Sequence, residues 1–164
     1  RERTGAEPLF TGKAWRNVVP GRAGGAIRLT RHVARQMEGA MIRTLIYVAL
    51  GGAAGAVARF VTVTAFARLL PGSFPAGTFV VNVAGSLLMG GLAAWLAAHQ
   101  AERFSPLLLS GFLGGFTTFS AFSADILRLL EGGTPWMAGG YAVASVLVSV
   151  VALMAGAALI RGLL

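Results

Sequence analysis

The chain has 164 residues, of which 55% are hydrophobic and only 12% charged, with a mean hydropathy of +0.72, whereas an average soluble domain is about 25% charged. It has no cysteine and two histidines, His32 and His99, which excludes disulfide frameworks, thiol chemistry, iron–sulfur sites and a dense zinc cluster. The net charge of +8 does not indicate a nucleic-acid partner, because eight of the 14 basic residues lie in residues 1–40, ahead of the apolar body.

Residues 1–40 are rich in Gly and Arg and hold no sustained apolar run, so they read as a disordered basic extension. Within them, Arg28 to Met37 has the pattern of a short amphipathic helix suited to an anionic membrane surface. A second reading begins at Met41, which with Ile42 and Arg43 stands just before the first long apolar run and looks like a genuine start. On that reading residues 1–40 are an early start assignment or an added extension, and residues 41–164 are the functional domain.

A bilayer core of about 30 Å asks for about 20 apolar helical residues. Four such runs follow, predicting an all-α membrane protein of four transmembrane helices. The first runs from about Thr44 to Leu70 and contains Arg59 and Arg68; the second, from about Gly77 to Ala98, is uncharged. Pro71, Gly72 and Pro75 mark the turn between them. The third covers about Pro106 to Leu130, and the fourth about Trp136 to Ile160, after Glu131, Gly132 and Gly133. With residues 1–40 set aside, one side of the membrane carries Arg43, Arg103 and Arg161 and the other Arg68 and Arg128. Positive loops stay in the cytoplasm, so this near balance predicts insertion in both orientations, which permits an antiparallel homodimer.

Small residues crowd the first span at Gly51, Ala53, Ala54, Gly55 and Ala56. Such residues let helix backbones approach where lipid supplies no hydrophobic force between helices. In the second span Thr78, Asn82 and Ser86 are spaced four apart, and in the fourth Tyr141, Ser145 and Ser149 repeat that spacing. Each set is a polar stripe about 12 Å long on one helix face. Interhelical hydrogen bonding is one use for such stripes. A matched pair with an Asn near mid-span also fits a donor-lined path for a small anion, and the absence of a carboxylate argues against a proton relay.

The third span carries Gly111-Phe112-Leu113-Gly114-Gly115-Phe116-Thr117-Thr118-Phe119-Ser120-Ala121-Phe122-Ser123. Adjacent Gly114 and Gly115 followed by two Thr lower helix propensity and predict a break at mid-membrane that frees backbone carbonyls beside a cavity. The alternative is a glycine-lined packing site in a continuous helix. Phe112, Phe116, Phe119 and Phe122 fall three or four apart, the spacing of a packing stripe. Their interleaving with Thr and Ser also lets positive ring edges face an anion. Arg59 and Asp125 are the ionisable residues deepest in the spans, and such groups face protein or water and find partners. Arg59 either attracts an anion into a vestibule or caps helix ends.

These motifs together resemble the Fluc family, also called CrcB, the small fluoride channels of bacteria. The likeness rests on Gly51-Gly52-Ala53-Ala54-Gly55-Ala56-Val57-Ala58-Arg59, on Gly77-Thr78-Phe79-Val80-Val81-Asn82-Val83-Ala84-Gly85-Ser86, and on Gly-Gly-Phe-Thr-Thr-Phe-Ser at 114–120, in that order. The resemblance implies a passive fluoride channel of the bacterial inner membrane, built as an antiparallel homodimer with two anion pores and a central structural sodium ion. It implies that backbone carbonyls of Gly114 and Thr117 from both subunits hold the sodium. Phe119, Phe122, Asn82, Ser145 and Ser149 would line the pores, joined along the two stripes by Thr78 and Tyr141. Thr118, Ser120 and Asp125 correspond to a polar track, with Ala121 where Thr is frequent and Asp125 where Glu is frequent. Fluoride is strongly hydrated, so its passage needs several donors that replace water in sequence. Three alternatives stand beside the channel. A proton-coupled small multidrug exporter needs a buried acid that the first span lacks. A structural membrane subunit leaves the two stripes unused, and an intramembrane enzyme lacks a His or carboxylate pair.

Overall fold

A computed structural model describes residues 22–164, with side-chain surroundings from residue 37 onward. Its elements are α1 (Arg22–Leu69), α2 (Ala76–Ala98), a 3₁₀ turn (Glu102–Phe104), a π-helix (Pro106–Leu113), α3 (Gly114–Phe116), α4 (Phe119–Glu131) and α5 (Pro135–Leu163). The described residues are all-helical, and four stretches are long and apolar enough to cross a membrane: Met37–Leu69, Ala76–Ala98, Glu102–Glu131 and Pro135–Leu163. Two compact units divide the chain at residues 42 and 43, and the four-helix packing belongs to the second.

Of the basic extension, residues 1–21 lie outside the described residues, while residues 22–40 belong to α1. Adding turns to an existing helix needs no new nucleus. Arg, Leu, Gln, Met, Glu and Ala between 28 and 40 are strong helix formers, which accounts for helix where composition alone predicts disorder.

The turns follow from local chemistry. Proline at 71 and 75 stops α1 and starts α2, since neither can supply an amide hydrogen. The last turn of α4 closes on the Leu129 carbonyl, which accepts from Thr134 N at 3.0 Å and from Thr134 Oγ1 at 2.8 Å. Gly133 sits between them at φ +71°, a left-handed conformation that favours glycine, and Pro135 opens α5.

Glycine sets how closely the helices lie. A Cβ at Gly90 of α2 would collide with the Leu153 carbonyl of α5, and one at Gly156 of α5 with the Leu87 carbonyl of α2. The two glycines form a reciprocal seam in which backbone meets backbone. Gly51 and Gly55 of α1 do the same against the Leu107 and Phe112 carbonyls, where the π-helix hands over to α3. Gly115 faces Gly52, whose carbonyl would stand 2.5 Å from an added Cβ.

The inside is small: Val81, Leu96, Leu113, Leu129, Ala138 and Tyr141 are buried. Large apolar side chains such as Leu45, Leu50, Phe60, Val151 and Met154 point outward. That distribution is unfavourable in water and is what a lipid solvent requires of a multi-pass protein, whose backbone polar groups must be satisfied within the protein.

Gly90→Ala and Gly156→Ala should each destabilise the purified protein by about 1–3 kcal/mol through overpacking. Gly162→Ala, where an added Cβ meets nothing within 4 Å, should be neutral. Thermal unfolding in detergent reads the difference, and equal melting temperatures for all three would remove the seam from the explanation of the fold.

Candidate functional site

The third span is helical to Phe116 and again from Phe119, but Thr117 (φ −77°, ψ 155°) and Thr118 (φ −153°, ψ 122°) are extended. The interruption therefore lies at Thr117–Thr118, the second half of the weak stretch that begins at Gly114–Gly115. The glycines stay helical because they are committed to packing, Gly115 against Gly52. Asn82 holds the extended residues in place: its Oδ1 accepts from Thr118 N at 2.8 Å, and its Nδ2 donates to Thr118 O at 3.1 Å. One amide side chain thus satisfies both backbone groups of a buried extended residue, as a neighbouring strand would.

Tracing the backbone donors shows what the interruption exposes. In a continuous α-helix Thr118 N would serve the Gly114 carbonyl and Ala121 N the Thr117 carbonyl. Thr118 N goes instead to Asn82, and Ala121 N goes to Thr118 Oγ1 at 3.2 Å, which caps α4. The carbonyls of Gly114 and Thr117 are left without their helical donors. Thr117 itself folds back, with N and Oγ1 both donating to the Leu113 carbonyl at 2.9 Å.

Beside the interruption is a cavity of about 370 Å³, lined by Asn82, Thr117, Thr118, Phe119, Phe122, Ser145, Ser149 and apolar neighbours that include Met89 and Val150. Ser145 Oγ and Ser149 Oγ are buried and meet no hydrogen-bond partner among the described residues. Buried hydroxyls are ordinarily paired, and an unpaired one costs about 1–3 kcal/mol. The fourth-span stripe is therefore not spent on interhelical bonding at these two positions.

The four phenylalanines do not form one stripe. Phe112 and Phe116 stack with ring centroids 6.1 Å apart, while Phe119 and Phe122 pair separately at 5.4 Å. The extended residues reset the helical phase, so only Phe119 and Phe122 reach the cavity. Rings continue from Phe122 to Tyr141 at 5.4 Å and from Tyr141 to Phe74 at 5.7 Å, edge to face.

Tyr141 leads to a second cavity of about 210 Å³, lined by Thr78, Ser73, Asp125 and Arg128 among others. Tyr141 Oη donates to Asp125 Oδ2 at 3.3 Å, and Arg128 Nη1 pairs with Asp125 Oδ1 at 3.0 Å. The proposed track residues separate: Thr118 and Ser120 share a hydroxyl contact at 3.1 Å at the start of α4, and Asp125 belongs to the second cavity. Arg59 is half-buried and makes no hydrogen bond or ion pair among the described residues. Sequence reasoning passed over Arg128, although its i, i+3 spacing from Asp125 was the available signal. It also passed over the use of Asn82 as a backbone partner, which no local spacing reveals.

A family model described as CrcB-like protein, Camphor Resistance (CrcB), matches residues 46–157. The chain is 52% identical over 122 residues to a protein of Cereibacter sphaeroides named fluoride-specific ion channel FluC, covering 74% of this chain and 98% of that one. Proteins of the same name from Paracoccus denitrificans (50% over 123 residues, 75% and 98% covered) and Rhizobium leguminosarum (45% over 125 residues, 75% and 99% covered) are similar over the same domain.

Removing the Asn82 amide would strand Thr118 N–H and C=O in an apolar interior. Asn82→Ala should cost about 1–3 kcal/mol for each stranded group, read as a lower melting temperature in detergent. Asn82→Asp, which still accepts but cannot donate to the Thr118 carbonyl, should also destabilise. Unaltered stability in both would leave the interruption held by something other than Asn82.

Proposed function

This chain belongs to the CrcB family, and from that membership we propose that it is a fluoride-selective passive channel of the bacterial inner membrane. The observation that carries the reading is the pair of buried, unpartnered hydroxyls, Ser145 and Ser149, in a cavity walled by Phe119 and Phe122. Hydroxyl hydrogens and aromatic ring edges offer positive charge without a formal cation. A small anion can exchange its water for such contacts and still leave. A larger halide would be dehydrated without equivalent contacts. Export then needs no ATP and no coupling acid, because a membrane potential negative inside drives an anion outward. The protein acts as a channel and not as an enzyme.

The working unit is an antiparallel homodimer with the interruption of the third span at mid-membrane. Support comes from Gly114, Phe119, Ser120 and Ser123, all exposed in the single chain, with Phe119 at 77%. Glycine, serine and open backbone are poor company for lipid and suit a protein partner. With residues 1–40 set aside, near-balanced positive loops permit both insertions.

A structural sodium fits the donor set. The Gly114 and Thr117 carbonyls have lost their helical donors. The described residues contain no cluster of three or more His, Cys, Asp or Glu that could hold a metal. Neutral carbonyls suit a monovalent cation, and Gly114 and Thr117 of two copies would hold it. When bound, the ion supplies charge to the freed carbonyls and ties the two copies together.

In liposomes loaded with fluoride the wild-type protein should release fluoride with neither ATP nor a proton gradient and pass little chloride. Ser145→Ala and Ser149→Ala should lower that flux while leaving melting temperature unchanged or higher, since each removes an unpaired hydroxyl. If both variants unfold more easily and conduct normally, the hydroxyls serve packing. Phe119→Ile and Phe122→Ile should also lower flux in a protein that remains dimeric. A folded wild-type dimer that passes no fluoride would favour a structural membrane subunit.

Replacing sodium throughout by a large organic cation should abolish flux and weaken the dimer, measured by fluoride release and by mass in detergent. Full activity after rigorous sodium removal would count against Gly114 and Thr117 as ligands.

A further inference from the structure

We propose that Arg128 is a positioning residue for permeation, neutralising the Asp125 carboxylate so that an anion can pass the second cavity. The proposal rests on the fluoride-channel reading above. Asp125 is 4% exposed and therefore largely removed from water. The Tyr141 hydroxyl donates to it, and the Tyr141–Phe122 ring contact leads on to the first cavity. An unscreened carboxylate in that position would repel an anion approaching along the Tyr141 side. Two contacts meet it: the Tyr141 hydroxyl at 3.3 Å, which donates without adding charge, and the Arg128 guanidinium at 3.0 Å, which brings a full positive charge.

The two partners differ in their relation to solvent. Arg128 is 71% exposed on its side chain while its carboxylate partner is buried. The guanidinium therefore lies at the surface of the chain and still cancels a charge that faces the cavity. Its place in the last turn of α4, three residues after Asp125, favours the same pairing for reasons of helix geometry and dipole. A purely structural Arg128 would end there. The cavity adds a second consequence, because Thr78 and Ser73 line it with hydroxyls that suit an anion only once the carboxylate is offset.

The chain has no cysteine, so the charge at position 128 can be set after folding. Arg128→Cys protein is reconstituted as the intact dimer and assayed for fluoride release before and after treatment with methanethiosulfonates of defined charge. The unmodified variant should release fluoride about tenfold more slowly than wild type, the scale expected of one unpaired charge near the route. A positively charged ethylammonium adduct should recover most of the rate, a neutral methyl adduct should not, and a negatively charged sulfonatoethyl adduct should slow release further. Removing the opposing charge should also rescue, so Asp125→Asn with Arg128→Gln should exceed Arg128→Gln alone. Equal rates for the three adducts, or a double variant no faster than the single one, would assign Arg128 to helix stability and overturn the proposal. Wild-type liposomes are run in parallel; silence there means that the channel reading itself has failed.

Discussion

One side chain fixes the local arrangement on which the site depends: Asn82 of α2 occupies both the N–H and the C=O of Thr118. In a lipid-facing protein an extended residue is admissible only if its backbone groups are satisfied inside the protein, and a primary amide carries its donor and its acceptor on separate atoms, so one side chain can meet the N–H and the C=O together. The diversion has three consequences. It removes the helical donor of the Gly114 carbonyl. It leaves Thr118 Oγ1 positioned to cap Ala121, which removes the donor of Thr117 as well. It restarts the helix in a new phase, which turns Phe119 and Phe122 away from the Phe112–Phe116 stack and toward the fourth-span hydroxyls.

The glycine seams keep that arrangement within reach of its partners. Gly85 of α2 lies against the Thr117 methyl group and the Phe116 ring, so the residue after Ala84 brings α2 close enough for Asn82 to reach across to Thr118. Gly51, Gly55 and Gly52 hold α1 against the other side of the third span. α2 is also locked to α5 through Gly90 and Gly156. Dispersion between close backbones replaces the hydrophobic force that lipid cannot supply.

Much of this was legible in the sequence because it is one-dimensional. Span number follows from apolar run length, and the sites of the turns from Pro71, Pro75, Gly132 and Gly133. The polar stripes follow from spacing by four. The weak stretch of Gly114, Gly115, Thr117 and Thr118 was legible, but not which pair breaks, because helix propensity ranks Gly below Thr and favours a break at the two glycines. Tertiary packing overrides it: those glycines stay in a helix because Gly115 must pass Gly52, and Thr117–Thr118 break because Asn82, 36 residues away from Thr118, offers an alternative partner. The π-winding of Pro106–Leu113 was equally hidden. Proline opens it and Gly111 lies where an added Cβ would stand 3.0 Å from the Pro106 carbonyl of the same helix and from the Val48 carbonyl, a contact that arises only once α1 is in place. The phenylalanine stripe misled for a related reason, since a period of three to four holds only while one helix is unbroken.

The unpaired hydroxyls of Ser145 and Ser149 make sense only in this enclosure. A hydroxyl that bonded a neighbouring helix would gain about 1 kcal/mol and lose its freedom to turn toward a guest. Left unpaired among apolar walls, each keeps a donor available in a region where water is scarce, and each interaction with an anion is strengthened by the low local dielectric. Selectivity and throughput then pull in opposite directions: more donors hold fluoride better and release it more slowly. Two hydroxyls about 6 Å of helix rise apart, with ring edges in place of cations, lie on the weak side of that balance. At the second cavity the Asp125 carboxylate is paired with the Arg128 guanidinium. Stability given up at the hydroxyls is therefore coupled to the backbone packing around them, because a rigid glycine-packed shell keeps the side chains of this largely apolar cavity from closing on the two hydroxyls.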